Sequence, residues 1–163
     1  MPSIITLTTD FGLGSHYVAV MKGVILSINP AAVIVDITHG IPPQDIRQAA
    51  LVLDDVCERF PVDTIHVAVV DPGVGTARAI VYARINQRHY IAPDNGLLSR
   101  LAARNRPTQL IKLENQSYWL RPLSATFHGR DIIAPVAARL SLGLDPAELG
   151  PPIEQLATLQ WPQ

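Results

Sequence analysis

The chain has 163 residues, 13 basic and 14 acidic side chains, a formal net charge of −1 and one cysteine. Its length predicts one domain with an ordinary core, and charges scattered without runs exclude an electrostatic surface for nucleic acid or anionic membranes. Because Cys57 has no partner for a disulfide, and the sequence carries no signal peptide or membrane-length apolar run, we expect a soluble cytoplasmic protein whose partners are small molecules or other proteins.

Strand and helix patterns alternate through the first half of the chain. β-Branched and apolar runs indicate buried strands, whereas apolar residues three and four apart indicate helices. Asp45 stands where the cap of the second helix is expected. The predicted elements are, in order, a strand at residues 3–8, a helix at 16–28, a strand at 32–38, a helix at 45–60 and a strand at 64–70.

The second half of the chain is less regular. Two apolar runs, residues 79–85 and 89–93, flank the turn "NQR" and predict an antiparallel hairpin. The remaining predicted elements are a turn and helix at residues 94–105, short strands at 108–113 and 117–120, a loop and helix over 124–143 despite Pro135, and a proline-rich connector at 151–163.

Strands that alternate with helices of this length predict right-handed βαβ units. We therefore expect a Rossmann-like, three-layer α/β domain over residues 1–150, with a mostly parallel central sheet and helices on both faces. Such folds bind ligands at the carboxyl ends of their strands. The loops expected there read "TDFG", "THGIPPQ" and "DPGVGTAR", and all three contain glycine or proline beside polar residues.

Carboxylates in two of these loops have structural and functional interpretations. Asp10 is either a turn or cap residue, or a carboxylate that binds a ribose diol or a metal. Asp71 and Arg78 flank the stiff segment "PGVGTA". They form either a salt bridge that closes the loop, or a site where arginine stabilises an anion beside an orienting carboxylate.

His128 and Asn95 lie in turns that precede predicted helices. His128, in "TFHGRD", is either a surface hydrogen-bonding residue or a catalytic group, and Asn95, in "APDNG", either caps a turn or contacts a ligand. A metal-dependent hydrolase site built from Asp10, Asp71, His128 and Asp131 is a further alternative. No zinc site is expected, because the histidines lack metal-ligand spacing and the chain has one cysteine.

Four motifs occur in order between Thr8 and about Gly150. They are "TTDFG", "VVDPGVGT" followed by Arg78, "YIAPDNGLLS" and "TFHGRDIIAPVAA". Together they resemble those of the adenosine-forming S-adenosyl-L-methionine (SAM) hydrolases, also called SAM hydroxide adenosyltransferases, which are relatives of the fluorinases and chlorinases. The resemblance implies an α/β fold, a homotrimer, and the conversion of SAM and water to adenosine and L-methionine. SAM is then the substrate, and no cofactor or metal is implied.

The resemblance also implies roles for individual residues. Asp10 is expected to bind the ribose hydroxyls, and Asp71, Arg78 and His128 are expected to form a triad that holds the attacking water. The halogenating relatives lack this triad, so water is the expected nucleophile. Because arginine is always protonated, we expect His128 to accept the proton while Asp71 orients the water or the imidazole.

Two further substrate contacts are expected, from Asn95 and from Ser15, which stands where the family usually has an aspartate. Family members continue into a C-terminal β-barrel domain, and SAM binds between one subunit's N-terminal domain and a neighbour's C-terminal domain. We expect no such domain in this chain, which leaves a fragment, a natural short form, or half of a split enzyme completed by a separate β-barrel chain. The functional alternative to a hydrolase is a non-catalytic, trimer-forming nucleoside-binding domain.

Overall fold

The structure, a computed structural model, describes residues 2–161. Strands and helices alternate along its first half, as the apolar periodicity predicts. The elements are β1 (Ile4–Thr9), α1 (Tyr17–Ile28), β2 (Val33–Thr38), α2 (Ile46–Val56), β3 (Ile65–Val69), β4 (Ile80–Ile85), β5 (Arg88–Pro93), α3 (Ser99–Arg104), β6 (Gln109–Lys112) and α4 (Ala134–Ser141).

All six strands belong to one sheet, in the order β2-β1-β3-β5-β4-β6. β1 pairs in parallel with β2 and β3, and β3 pairs in parallel with β5. β4 is antiparallel to β5 and β6, so it alone opposes the other strands. The predicted mostly parallel sheet is therefore confirmed. The predicted hairpin is also present, with Asn86 and Gln87 at its turn, both at positive φ as a tight hairpin turn requires.

Helices cover both faces of the sheet. One apolar cluster joins the sheet to α1 and α4, and includes Ile5, Leu7 and Met21. The other joins the opposite face to α2 and α3, and includes Leu53 and Cys57. Cys57 is fully buried, and burial raises the pKa of its thiol. Within residues 2–161, no helix is long and apolar enough to cross a membrane.

The predicted strand at residues 117–120 is wrong. The chain forms a 3₁₀ turn at Gln116–Tyr118, because the Asn115 side chain accepts a hydrogen bond from the Ser117 N–H at 3.1 Å. Short polar side chains offer the backbone this local alternative to a strand ladder. The edge of β6 is instead paired by the chain end, where Pro152 bridges Ile111.

Two predicted helices differ in detail from the periodic pattern. Asp45 caps α2 as expected, accepting a hydrogen bond from the Gln48 N–H at 3.0 Å, but the helix tightens into a 3₁₀ turn at Cys57–Arg59. The helix after His128 begins as a π-helical turn at Gly129–Ile133 and continues as α4. Pro135 fits there because it lies in the first turn of α4, where its missing N–H is tolerated.

The chain end packs against the carboxyl end of β5. The Ala157 N–H donates to Asp94 Oδ1 at 2.8 Å, and Arg47 donates to the Gln160 carbonyl at 3.1 Å. Gly96 has φ +99°, and a Cβ there would lie 2.4 Å from Leu159 Cγ. The interpretation of residues 151–163 as a connector stays a prediction, and residues 162–163 lie outside the described range.

Candidate functional site

Asp71 and Arg78 pair across the loop that follows β3. Arg78 Nε lies 3.0 Å from each oxygen of the Asp71 carboxylate, and an Arg78 terminal nitrogen also donates to Asp71 Oδ2. The Arg78 and Asp71 side chains are only 12% and 6% exposed. Charge-assisted, multiply bonded pairs of this kind fix geometry strongly where water is excluded. The loop therefore holds one cation and one carboxylate in a set orientation.

Glycine is required at one position of this loop. Gly75 has φ +79°, and a Cβ there would lie 2.5 Å from the Ala125 carbonyl oxygen. The loop after β3 thus touches the segment that leads to His128. This contact brings Arg78 and His128 together, although 50 residues separate them in the chain.

His128 lies on the other side of Arg78. A terminal nitrogen of Arg78 is 3.0 Å from His128 Nδ1. Because a guanidinium can only donate, Nδ1 is the acceptor and the hydrogen of the neutral ring is on Nε2. Burial, followed by the charge of Arg78, lowers the pKa of His128 below its ordinary value. Arg78 is therefore the centre of the cluster, hydrogen-bonded to both Asp71 and His128.

Two of the three residues, Asp71 and His128, line a cavity of about 300 Å³, and Arg78 is hydrogen-bonded to both of them. Asp10 also lines this cavity, and its Oδ2 accepts a hydrogen bond from the Gln44 N–H at 2.8 Å. Gln44 has φ 64°, a left-handed conformation that turns its N–H toward the carboxylate. The carboxyl ends of β1 and β3, neighbours in the sheet, thus place Asp10 and Asp71 on one cavity.

Three aromatic residues that the motifs did not single out form part of the cavity wall: Phe11, Tyr17 and Phe127. The ring centroids of Tyr17 and Phe127 are 4.7 Å apart, and those of Phe11 and Tyr17 are 6.1 Å apart. Such a wall suits a flat ring or an apolar ligand body. The sequence offered a signal for this aromatic wall, because Phe11 directly follows Asp10 and Phe127 directly precedes His128.

Ser15 and Asn95 do not line the cavity. Ser15 Oγ accepts a hydrogen bond from the Tyr17 N–H at 3.2 Å, in the turn before α1. Asn95 Nδ2 donates to the Val70 carbonyl at 2.9 Å and thereby ties the end of β5 to the end of β3. In this structure both side chains hold the backbone of site loops, and their predicted contacts to substrate stay untested.

Asp131 does not join the cluster of Asp71, Arg78 and His128, because its carboxylate is hydrogen-bonded to Arg130. It is 2% exposed, and its carboxylate accepts hydrogen bonds from Arg130 Nε at 2.7 Å and from the Ser124 N–H at 2.8 Å. Burial acts to raise the pKa of Asp131, but these hydrogen bonds outweigh it and lower the pKa. Among residues 2–161, no three His, Cys, Asp or Glu side chains are grouped so that they could hold a metal ion.

Fold and site together define an α/β domain with a cavity at the carboxyl ends of parallel strands, lined by the aspartate and the histidine of an Asp–Arg–His cluster. The model of the SAM hydroxide adenosyltransferase N-terminal domain matches residues 5–150. The chain therefore belongs to this family.

Relatives and a solved structure agree with this assignment. The chain is 43% identical over 159 residues to the (R)-S-adenosyl-L-methionine hydrolase of Salinispora arenicola, which covers 97% of this chain. It is 29% identical over 170 residues, covering 90% of this chain, to the fluorinase of an Actinoplanes species. An uncharacterised conserved protein of Thermotoga maritima superposes with a TM-score of 0.95 at 41% identity over 98% of this chain.

The chain spans only part of each of these relatives. It covers 60% of the Salinispora hydrolase, 57% of the Actinoplanes fluorinase and 62% of the Thermotoga chain. The described residues form the α/β domain, and the region they match is the family's N-terminal domain.

Proposed function

We propose that this domain hydrolyses SAM to adenosine and L-methionine, with water attacking C5′ of the substrate. The observation that carries the proposal is the contact of Arg78 with both Asp71 and His128 beside a cavity that Asp10 also lines. Four motifs shared with the family and relatives named as SAM hydrolases support the substrate.

The chemistry suits a site without a leaving-group acid. As the water oxygen bonds to C5′, the C5′–sulfur bond breaks and its electron pair neutralises the sulfonium, so L-methionine leaves as a neutral thioether. The enzyme needs to hold the water in line with that bond and to shield the reacting atoms from bulk solvent. The attacking water loses one proton to the enzyme as its oxygen bonds to C5′, so that adenosine forms with a neutral hydroxyl.

Arg78 stabilises the hydroxide character that develops on the attacking water, since it is charged and buried beside the cavity. Asp71 orients the water and accepts its proton at Oδ1, which accepts one hydrogen bond from Arg78 and keeps a second lone pair, whereas Oδ2 accepts two. A weak base suffices because the acidity of the water rises as its oxygen bonds to carbon. This assignment replaces the expected proton acceptor, His128, because the lone pair of its Nδ1 faces Arg78. His128 instead holds the guanidinium in place.

Asp10 binds the ribose hydroxyls in this proposal, and Phe11, Tyr17 and Phe127 provide the apolar wall. Asp10 has the chemistry for this task, because a carboxylate accepts hydrogen bonds from both hydroxyls of a diol. The loop after β2 holds it, through the Gln44 N–H, on the same cavity as the proposed nucleophile site.

Turnover of SAM by the purified chain tests this function directly. We expect adenosine to accumulate, as measured by chromatography, at a rate that a metal chelator does not change. Arg78→Ala is expected to reduce the rate by at least 100-fold, because it removes the charge that stabilises hydroxide. Absence of adenosine at high protein concentration, with wild type and Arg78→Ala indistinguishable, would refute the proposal.

A second candidate function is a nucleoside-binding domain that does not turn over SAM by itself. The observation that favours it is the aromatic wall of Phe11, Tyr17 and Phe127 on the same cavity as Asp10, which suits a nucleoside. The two candidates differ in one measurement, since this one predicts adenosine binding by calorimetry without product formation. In either case we propose a homotrimer, which the mass measured by light scattering tests.

A further inference from the structure

A chain of hydrogen bonds lies behind Asp10, outside the cavity. Thr9 Oγ1 is 2.8 Å from His39 Nδ1, and His39 Nε2 is 2.8 Å from Asp36 Oδ1. Lys22 donates to the other Asp36 oxygen at 2.6 Å. Thr9 is fully buried and His39 is 8% exposed. We refer to Thr9, His39 and Asp36 as the His39 chain; neither the motifs nor the proposed reaction gives these residues a role.

The direction of each hydrogen bond in the His39 chain follows from chemistry. Burial acts to raise the pKa of Asp36, but hydrogen bonds from Lys22 and His39 outweigh it, so the pKa is lowered and Asp36 is a carboxylate. It can only accept, so His39 donates from Nε2, and with a neutral ring its Nδ1 is the acceptor. The Thr9 hydroxyl must then donate to His39.

The orientation of the Thr9 hydroxyl leaves its oxygen free to accept. The Phe11 N–H donates to Thr9 Oγ1 at 3.2 Å, and the Gly12 N–H donates to the His39 carbonyl at 2.9 Å. His39 is thus connected to the backbone through its ring, by way of Thr9, and through its carbonyl. These contacts attach His39 to Thr9 and to Gly12, and Asp10 lies between these two residues in the sequence.

We propose that His39 is a positioning residue for Asp10. The His39 chain holds the backbone on both sides of Asp10, so that its carboxylate meets the ribose hydroxyls without having to be ordered when substrate binds. Ordering in advance improves affinity because less conformational freedom is lost on binding. The inference rests on the proposed function, in which Asp10 contacts the ribose.

β1 offers a matched control for this proposal. Thr6 Oγ1 lies 2.6 Å from His66 Nδ1, and both residues are buried as deeply as Thr9 and His39. Thr6 precedes Thr9 by three residues in β1, and the Thr6–His66 hydrogen bond does not involve the Asp10 loop. Thr9→Val and Thr6→Val each remove one buried threonine–histidine hydrogen bond with the same change of atoms, and Thr9→Ser keeps the hydroxyl.

Calorimetric binding of adenosine and of 2′,3′-dideoxyadenosine tests the proposal. Thr9→Val is expected to weaken adenosine binding about tenfold, whereas Thr6→Val and Thr9→Ser bind it as wild type does. For the dideoxy ligand, which has no hydroxyls for Asp10, Thr9→Val and wild type are expected to bind alike. Amide hydrogen exchange at Phe11 and Gly12, measured without ligand, is expected to accelerate in Thr9→Val only.

Three other outcomes of these measurements would each overturn a different part of the proposal. Equal adenosine affinities of Thr9→Val and Thr6→Val, or unchanged exchange at Phe11 and Gly12, would overturn the role of the His39 chain and leave the proposed function standing. A tenfold loss that persists with the dideoxy ligand would show that Thr9 acts elsewhere than on Asp10. Equal binding of both ligands by wild type would instead refute Asp10 as the ribose contact.

Discussion

At the scale of single residues, Arg78 organises the candidate site. It donates to the carboxylate of Asp71 and to Nδ1 of His128, so it fixes the tautomer of the imidazole as well as the position of the acid. We propose that His128 positions Arg78 and does not accept the proton, because the acceptor nitrogen of its ring faces the arginine. The role of His128 is thereby open to a direct test.

Replacement of His128 separates positioning from proton transfer. The side-chain oxygen of His128→Asn can accept from Arg78 where Nδ1 does, so we expect kcat to fall only about tenfold, against at least 100-fold in His128→Ala, where Arg78 loses its partner. Steady-state turnover of SAM provides both values. Equal losses in the two variants would restore His128 as the proton acceptor.

At the scale of elements, the loop after β3 is shaped by its contact with the segment before His128. Gly75 allows the two loops to touch, and Asn95 ties the end of β5 to the end of β3. Rigid strands end at one edge of the sheet and bring three loops onto one cavity. The positions of the side chains in these loops thus depend on how closely the loop backbones approach one another.

Gly75→Ala tests that approach. The variant places a Cβ 2.5 Å from a backbone oxygen and keeps an alanine at φ +79°, so we expect a loss of about 2 kcal/mol in the free energy of unfolding and a fall in turnover. Urea titration and the SAM assay measure these effects.

Gly23→Ala is the control for Gly75→Ala. Gly23 lies within α1, and its added Cβ meets no atom within 4 Å. We expect this variant to gain up to about 1 kcal/mol of stability, because alanine favours helix over glycine. Equal stabilities of the two variants would contradict the close contact between the loops.

At the scale of the whole molecule, the sheet contains one buried and one half-buried histidine, and both have lowered pKa values. His66 is 1% exposed, stacks on Tyr90 with ring centroids 5.1 Å apart, and has its pKa lowered to about 3, chiefly by burial. Burial also lowers the pKa of His89 to about 4. Both lie toward the amino-terminal ends of their strands, away from the cavity.

His66 and His89 predict how stability depends on pH. Their pKa values in the folded protein lie below the value of about 6.5 expected in the unfolded chain, so the unfolded state binds more protons as pH falls. The free energy of unfolding is therefore fully retained above pH 6.5. It falls below that pH, by about 2 kcal/mol at pH 5 for His66 alone.

Urea unfolding between pH 7.5 and 5 measures this dependence. His66→Gln is expected to be less stable at pH 7.5 but to lose less stability on acidification than wild type does. His16→Asn, which replaces an exposed histidine in the turn before α1, is expected to keep the wild-type slope. A slope that is identical in His66→Gln and wild type would contradict the assignment.

Much of the fold could be predicted because its elements have local causes. Apolar periodicity marks β1 to β3 and the helices between them, and alternating strands and helices imply a parallel sheet. The predicted strand at residues 117–120 failed because one asparagine side chain, Asn115, captures a backbone N–H. Such a local competitor is invisible to a pattern of apolar residues.

By itself, the sequence determined the α/β class, the loops at the carboxyl ends of the strands and, through four ordered motifs, the family. Only the tertiary structure decided which residues meet. It joined Asp71 and Arg78 to His128, placed Ser15 and Asn95 behind the loops rather than on the cavity, and added an aromatic wall. The reason is physical: hydrophobic periodicity depends on neighbours along the chain, whereas tautomers, close approaches and cavities depend on distances between residues that the chain separates widely.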